Sequence, residues 1–306
     1  MSKTAAVFAG QGAQAVGMGR DLAEAFPECR ELFQRANDAL GFDLSKICFE
    51  GPEEELTKTN ITQPAIFVVS VACLTALKSL KPDFSFDVAA GLSLGEWTAL
   101  HAAGVVSFDQ AVRILEARGR FMQDACDETA GGMVSVMRLP LEKIAEIANS
   151  TGLTMANINS AEQIVLSGAK DAVAAAEAEV KAAGGRAIVL NVAGAYHSPL
   201  MASAATRLAE VLAAETLQAP GVPVISNVTG DPHGGVEDIR RTMVAQVTGS
   251  VRWLDSVNWC SANGVERFVE FGPGKVLTGL IRRIAPAAGG LNVADAAQAA
   301  ATAAAL

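Results

Sequence analysis

Residues 91–95 read Gly91-Leu92-Ser93-Leu94-Gly95, the G-x-S-x-G spacing in which small residues two before and two after a serine let a chain turn sharply from strand to helix. A turn serine with no chemistry can carry the same five letters, so the flanks must decide between the readings. Phe86–Ala90 is a short strand candidate and Glu96–Ala102 is good helical material. Ser93 is therefore expected at a helix N-terminus, where the dipole and unbonded N–H groups favour negative charge, as a serine nucleophile needs.

A serine hydroxyl needs a base, and the chain has three histidines. His101 follows Ser93 by eight residues on the same helix and cannot reach back. His233, in Asp231-Pro232-His233-Gly234-Gly235, reads as part of an exposed turn. His197 stands in Gly194-Ala195-Tyr196-His197-Ser198-Pro199-Leu200-Met201, where Ser198-Pro199 reads as a helix N-cap and first helical residue. An imidazole just before a helix start is disfavoured as a cation, which suits a neutral base; the plain alternative is a loop histidine in a cap.

Arg118 is the third informative residue. On a helix from Ser107 to about Cys126 it has Ile114, Leu115, Phe121 and Met122 as its neighbours three and four residues away, all apolar. Arg113 and Arg120 share the other face with Asp109, Glu116 and Asp124, an ordinary solvated pattern. A cation on a core stripe needs an anionic partner, either in a structural ion pair or in a substrate carboxylate held bidentately. Near the start, Phe8-Ala9-Gly10-Gln11-Gly12-Ala13-Gln14 follows a strand candidate. Gly10, Gly12 and Ala15 have the spacing of a dinucleotide fingerprint, but Ala15–Gly19 prolongs the loop where a helix should open. Glycines around one glutamine at a strand end suit a backbone N–H donated into a site.

These residues need elements to hold them. The chain has 306 residues, half of them hydrophobic, enough for a sizeable core in one large domain or one large and one small. Short apolar segments at Ala5–Phe8, Val88–Ala90, Val222–Ile225 and Phe268–Glu270 alternate with long helical patterns, which predicts a parallel α/β sheet. Between about 128 and 196 the rhythm becomes β-α-β-β-α-β, the split βαβ of a ferredoxin-like unit. The expected division is a large α/β domain of 1–127 and 197–306 with a subdomain of 128–196 inserted through Gly/Ala-rich hinges, and a cleft between them is the default ligand site. The tail from Pro286, PAAGGLNVADAAQAAATAAAL, shows no regular apolar stripe and suggests no function.

Composition narrows the classes. The five cysteines have no C-x-x-C spacing, so neither a disulfide framework nor a zinc cluster is indicated, and a reducing compartment is expected. The start lacks the marks of a signal peptide, and the apolar run Pro64–Leu77 falls short of the ~20 residues of a membrane span, so it reads as a buried core helix. A cytoplasmic protein without membrane partner follows. A net charge of −9 argues against nucleic acid and requires any anionic ligand to meet a local basic site.

Taken together, GLSLGEW, the arginine of EARGRFMQ, the histidine of GAYHSPLM, the loop FAGQGAQ, TQPA at 62–65 and FGPGKVLTGL at 271–280 resemble the malonyl-CoA:acyl carrier protein transacylases, in the right order over nearly the whole chain. The resemblance implies a hydrolase-like α/β fold with the ferredoxin-like insertion, and a ping-pong transfer. In it Ser93 attacks the malonyl thioester with His197 as base, and the phosphopantetheine thiol of an acyl carrier protein then takes the malonyl group. It further implies an oxyanion hole from the N–H groups of Gln11 and Leu94, and Arg118 on the malonyl carboxylate. Gln63 and Tyr196 join the substrate-binding residues, and the carbonyl of Gln246 becomes the third relay member in place of an acid. A neutral carbonyl orients the imidazole without repelling a substrate that is itself an anion. Three positions depart from the commoner pattern: Leu92 for His, Ser250 for Pro, and Tyr196 for Phe. The resemblance implies no cofactor, malonyl-CoA as substrate, a transient electrostatic encounter with an acidic carrier protein, and a monomer.

Three other readings bear weighing. A serine thioesterase shares elbow and histidine but has no use for a buried cation. A noncatalytic carrier-docking module needs neither Ser93 nor His197. A discrete acyltransferase of a polyketide pathway would use the same residues for the same work, and sequence does not separate it from an enzyme of fatty acid synthesis.

Overall fold

The computed structural model describes residues 3–306. In chain order its elements are β1 (Lys3–Phe8), α1 (Arg20–Ala25), α2 (Pro27–Leu40), α3 (Leu44–Glu50), α4 (Glu53–Leu56), α5 (Thr59–Leu80), β2 (Val88–Gly91), α6 (Leu94–Ala102) and α7 (Phe108–Glu128). Then come β3 (Gly131–Met137), α8 (Leu141–Thr151), β4 (Thr154–Ser160), β5 (Gln163–Ala169), α9 (Lys170–Ala182), β6 (Arg186–Val189) and α10 (Ala202–Ala214). The chain closes with α11 (Val236–Ala245), α12 (Trp253–Ala262), β7 (Val265–Phe271), α13 (Val276–Ile284), β8 (Gly289–Val293) and α14 (Ala296–Ala305).

The chain divides into two compact units. The first holds the residues through Gly119 with Glu215–Ile225 and Val257–Leu306. Its sheet has the order β2-β1-β7-β8, every pair parallel. Four of the five β1 residues after Lys3 are wholly buried, as strands covered on both faces must be. The apolar run Pro64–Leu77 lies in α5, the one helix among the described residues long and apolar enough to cross a membrane; 89% of its apolar stretch is buried within the protein, as a core helix requires. Register pairs Phe8 with Gly91 and with Phe271, so the loops after β1, β2 and β7 leave the sheet side by side at its carboxyl end. That edge is where open parallel sheets carry their chemistry.

Two expectations need amending here. Val222–Ile225 forms only a bridge, Ala89 to Val224, closed by hydrogen bonds from Ala89 N to Pro223 O and from Ile225 N to Ala89 O at 2.9 Å each. The tail that looked patternless supplies strand β8, the parallel partner of β7, and helix α14. Asp295 caps α14 by accepting from Gln298 N at 2.7 Å, and Asp21 of α1 accepts from Ala296 N at 2.7 Å. Gly289, Gly290 and Asn292 hid the strand because its edge position demands little apolar side chain.

The second unit holds Arg120–Ala214 and Ser226–Ser256. Its antiparallel sheet has the order β4-β5-β3-β6, the ferredoxin-like arrangement, with α8 and α9 on one face around Val134, Val136, Ile144, Ile164, Leu166 and Val180. The fold is thus α/β, a parallel sheet with an inserted β-α-β-β-α-β unit. The compact unit reaches beyond 128–196 because segment 250–252 is stitched to β4. Ser250 Oγ donates to Met155 O at 2.6 Å, Ile158 N to Val251 O at 2.9 Å, and Val251 N to Ala156 O at 2.8 Å.

Candidate active site

Ser93 is the N-cap of α6, with φ 55° and ψ −107°. A side chain in this left-handed region costs of order 1–3 kcal/mol, and such strain persists only where the surroundings fix it. The flanking glycines do the fixing. A Cβ on Gly91 would stand 2.0 Å from the carbonyl carbon and oxygen of Gly95, and one on Gly95 would stand 2.2 Å from Phe8 O. No side chain fits at either place, so the elbow folds back on itself and on the end of β1. Gly10 is seated in the same way, its absent Cβ 2.6 Å from Leu92 O, which brings the loop carrying Gln11 against the elbow. Leu94 opens α6, and the N–H of a first helical residue has no carbonyl within the helix to bond.

Arg118 is 1% exposed. Its Nη1 donates to Gln63 Oε1 at 2.6 Å and its Nη2 to Ser93 Oγ at 3.2 Å. The approach of α7 to α5 that allows this depends on Gly119, where a Cβ would lie 2.5 Å from Thr59 O and 2.7 Å from Asn60 Cα. Pro64, inside α5, has no N–H for the carbonyl of Asn60, so the helix is locally open beside that crossing. Gln63, fully buried, presents its amide oxygen to the guanidinium, and the arginine's fork is thereby aimed at the Ser93 hydroxyl. The sequence marked Arg118 as buried; that one contact is the elbow serine itself was beyond it.

In the second unit His197 is 4% exposed, with φ 58°. Its Nδ1 lies 2.8 Å from the carbonyl oxygen of Gln246, at the end of α11. A carbonyl only accepts, so Nδ1 carries a proton and donates it to Gln246 O; in the neutral ring the lone pair is then on Nε2. Ser198 caps the following turn, accepting from Leu200 N at 3.3 Å with Pro199 next. Tyr196 is buried and hydrogen-bonds the Cys126 thiol. Burial pushes that thiol up to about 11, so it stays protonated. The chain at Gly194 lies flush on Cys126, for a Cβ there would meet Sγ at 2.4 Å.

The other histidines are structural. His101 Nδ1 donates to Val106 O at 2.9 Å, with its ring edge-on to Phe67. His233 is not exposed as its glycine-rich turn suggested: it is 8% exposed, with Nδ1 3.0 Å from Thr242 Oγ1. The turn folds back on α11, the helix that directly follows it, which turn composition alone does not reveal. Among the described residues no group of three or more His, Cys, Asp or Glu is placed to hold a metal ion.

The structure therefore brings Ser93, Arg118, Gln63, Leu94 and the Gln11 loop together in one unit, and His197, Gln246 and Tyr196 in the other. The acyl transferase domain model matches residues 6–300. The chain belongs to the acyl transferase family. This acyltransferase is 44% identical over 289 residues to the malonyl CoA-acyl carrier protein transacylase of Escherichia coli K12, covering 93% of each chain. It is 40% identical over 300 residues to the polyketide biosynthesis protein ThaF of Burkholderia thailandensis, where it spans 97% of its own length and a quarter (25%) of that protein. Among solved structures it resembles a malonyl-transacylase in complex with its type II PKS acyl-carrier protein, with a TM-score of 0.94, 40% identity, and coverage of 97% of this chain and 98% of that one.

Two supports of the acyltransferase site escaped the sequence reading. Gly119 is invisible as a requirement because its neighbour, Asn60, is 59 residues away. Cys126 reads as one more cysteine outside any C-x-x-C pair until Tyr196 and Gly194 are found against it.

Proposed function

We propose that the chain transfers the malonyl group of malonyl-CoA to the phosphopantetheine thiol of an acyl carrier protein, through a malonyl ester on Ser93. The observation that carries this reading is the buried guanidinium of Arg118 on the hydroxyl of the elbow serine. A fork that touches Ser93 Oγ is within reach of a carboxylate one methylene beyond an acyl carbonyl joined to that oxygen, and a buried guanidinium binds a carboxylate through two parallel charge-assisted bonds.

In the proposed reaction the Ser93 hydroxyl gives its proton to His197 Nε2 as Oγ adds to the thioester carbonyl. The oxyanion is met by the backbone N–H groups of Gln11 and Leu94. Collapse breaks the C–S bond, and coenzyme A leaves as the thiol with the proton from His197. The carrier's thiol then gives its proton to His197, attacks the malonyl ester, and Ser93 recovers its proton as the new thioester forms. The carbonyl of Gln246 accepts from Nδ1–H throughout, orienting the ring in both protonation states, and adds no negative charge near the anionic substrate. Tyr196, next to the base, crowds the malonyl α-carbon. No cofactor takes part in this scheme, and we place the enzyme in the cytoplasm as a monomer supplying fatty acid synthesis.

The test is intact-mass analysis after mixing with malonyl-CoA. The wild-type chain gains one malonyl group and Ser93→Ala none, while His197→Ala acquires it far more slowly. A normal adduct on Ser93→Ala refutes the mechanism.

A further inference from the structure

Glu270 is a carboxylate in the core, 1% exposed, at the end of β7 and outside the chemistry above. Its Oε1 accepts from Leu277 N at 3.0 Å, and its Oε2 accepts from Thr278 N at 2.7 Å and from Thr278 Oγ1 at 2.5 Å. These are the second and third residues of α13. The usual capping position of that helix is Lys275, whose side chain makes no cap. The carboxylate thus caps α13 from the strand below, bridging over the four-residue turn Gly272-Pro273-Gly274-Lys275.

That turn lies against the loop carrying Gln11. Ala9 N donates to Phe271 O at 3.1 Å. Gly272, at φ 120°, is so close to its surroundings that a Cβ would stand 2.8 Å from Ala9 Cβ and 2.4 Å from Ser70 Oγ. Gly274, at φ 77°, faces Ala13, its absent Cβ 4.0 Å from Ala13 Cβ, and its carbonyl accepts from Asn292 Nδ2 at 3.0 Å. Two glycines with left-handed backbones give the turn little stiffness of its own. The far end is fixed by Glu270.

We infer that Glu270 is a positioning residue for acyl transfer, holding the 272–275 turn as a buttress beneath the loop whose Gln11 N–H faces the developing oxyanion. This rests on the proposed function. Burial drives the Glu270 carboxyl upward from its ordinary value while the three donors pull the other way, so the site holds an acceptor at the cost of a buried acid. An ordinary Ser or Asp at 275 would cap α13 without tying it to β7. The remote cap fixes the helix start relative to the strand that also carries the Ala9 contact.

The test is rapid-quench measurement of malonyl-serine formation, scaled to titrated active sites, across malonyl-CoA concentration. Loss of one oxyanion donor outright costs about 10²–10³ in rate, and a donor merely displaced should cost about tenfold. Glu270→Gln, which keeps one acceptor oxygen, should therefore slow the maximal acylation rate about tenfold and leave the half-saturating concentration within about twofold. Asp295→Ala, which uncaps α14 in the same unit, lowers thermal stability but not this rate. Should Glu270→Gln fail to fold, Thr278→Val serves in its place, with Thr278→Ser restoring the rate. Rates per active site within about twofold of wild type in Glu270→Gln, or in Thr278→Val, overturn the inference. A wild-type chain that forms no malonyl adduct overturns instead the function on which it rests.

Discussion

Replacing Arg118 by alanine should change which acyl group is transferred more than it changes the ability to transfer one. The guanidinium is 1% exposed and reaches Gln63 Oε1 at 2.6 Å and Ser93 Oγ at 3.2 Å. Each hydrogen bond between charged groups is worth about 1.5–3 kcal/mol, and a carboxylate accepts two from the fork. Set against the cost of stripping water from that carboxylate, a net of about 3 kcal/mol is reasonable, which is roughly a hundredfold in kcat/KM. Acetyl-CoA has no carboxylate, so its slow reaction should be unchanged or faster in Arg118→Ala. Arg118→Lys keeps the charge without the fork and should fall between. The alanine variant also leaves Gln63 Oε1 without this donor in the core, a stability loss of about 1–3 kcal/mol, so rates are compared below its unfolding transition. The assay is kcat/KM for malonyl-, methylmalonyl- and acetyl-CoA with one carrier protein. If malonyl and acetyl transfer fall by the same factor, Arg118 is a structural residue and the substrate assignment loses its physical basis.

Tyr196→Ser should admit methylmalonyl-CoA, raising its kcat/KM relative to malonyl-CoA by about tenfold as room opens beside the α-carbon; an unchanged ratio removes Tyr196 from the pocket. Gly95→Ala should destabilise the first unit by at least about 3 kcal/mol in denaturant titration, because its Cβ would lie 2.2 Å from Phe8 O and backbone cannot step aside. His101 is held below its ordinary value of 6.5 mainly by burial, with Arg35 and Lys78 adding to the depression while the Val106 carbonyl and Asp109 oppose it. The unfolded chain therefore takes up the proton first, so the stability this histidine contributes is present above about pH 6.5 and lost as pH falls below it; His101→Gln should flatten that slope in unfolding measured across pH. Transfer to an acidic carrier protein should weaken with added salt, and charge reversal at Arg186 of the second unit and at Lys275, Arg282 and Arg283 of the first should weaken it further; unchanged carrier affinity rules the four out as docking contacts.

Much of this molecule was legible in local patterns. Ser93 between two glycines with a strand before and a helix after specified the elbow, because a turn that tight tolerates no side chain at either flank. The β-α-β-β-α-β rhythm after residue 128 specified the antiparallel sheet, because hydrophobic period fixes which face each element buries. Arg118 among Ile114, Leu115, Phe121 and Met122 was recognisably a buried cation, since helical spacing alone places those neighbours. His197 before Ser198-Pro199 was recognisably a histidine at a helix start.

What tertiary structure decided is where these pieces meet within each unit. The Gln63 oxygen on the guanidinium, the close crossing at Gly119, the Gln246 carbonyl behind His197 and the Glu270 cap on α13 all join residues from separate elements. No local period encodes them. Edge strand β8 and buried His233 were misread because a strand that needs few apolar side chains, and a glycine-rich turn that folds back on the helix directly following it, both look irregular in sequence. Local pattern follows from the conformation of a few consecutive residues, whereas a hydrogen bond across 49 residues, like that from His197 to Gln246, exists only once the core has fixed both backbones.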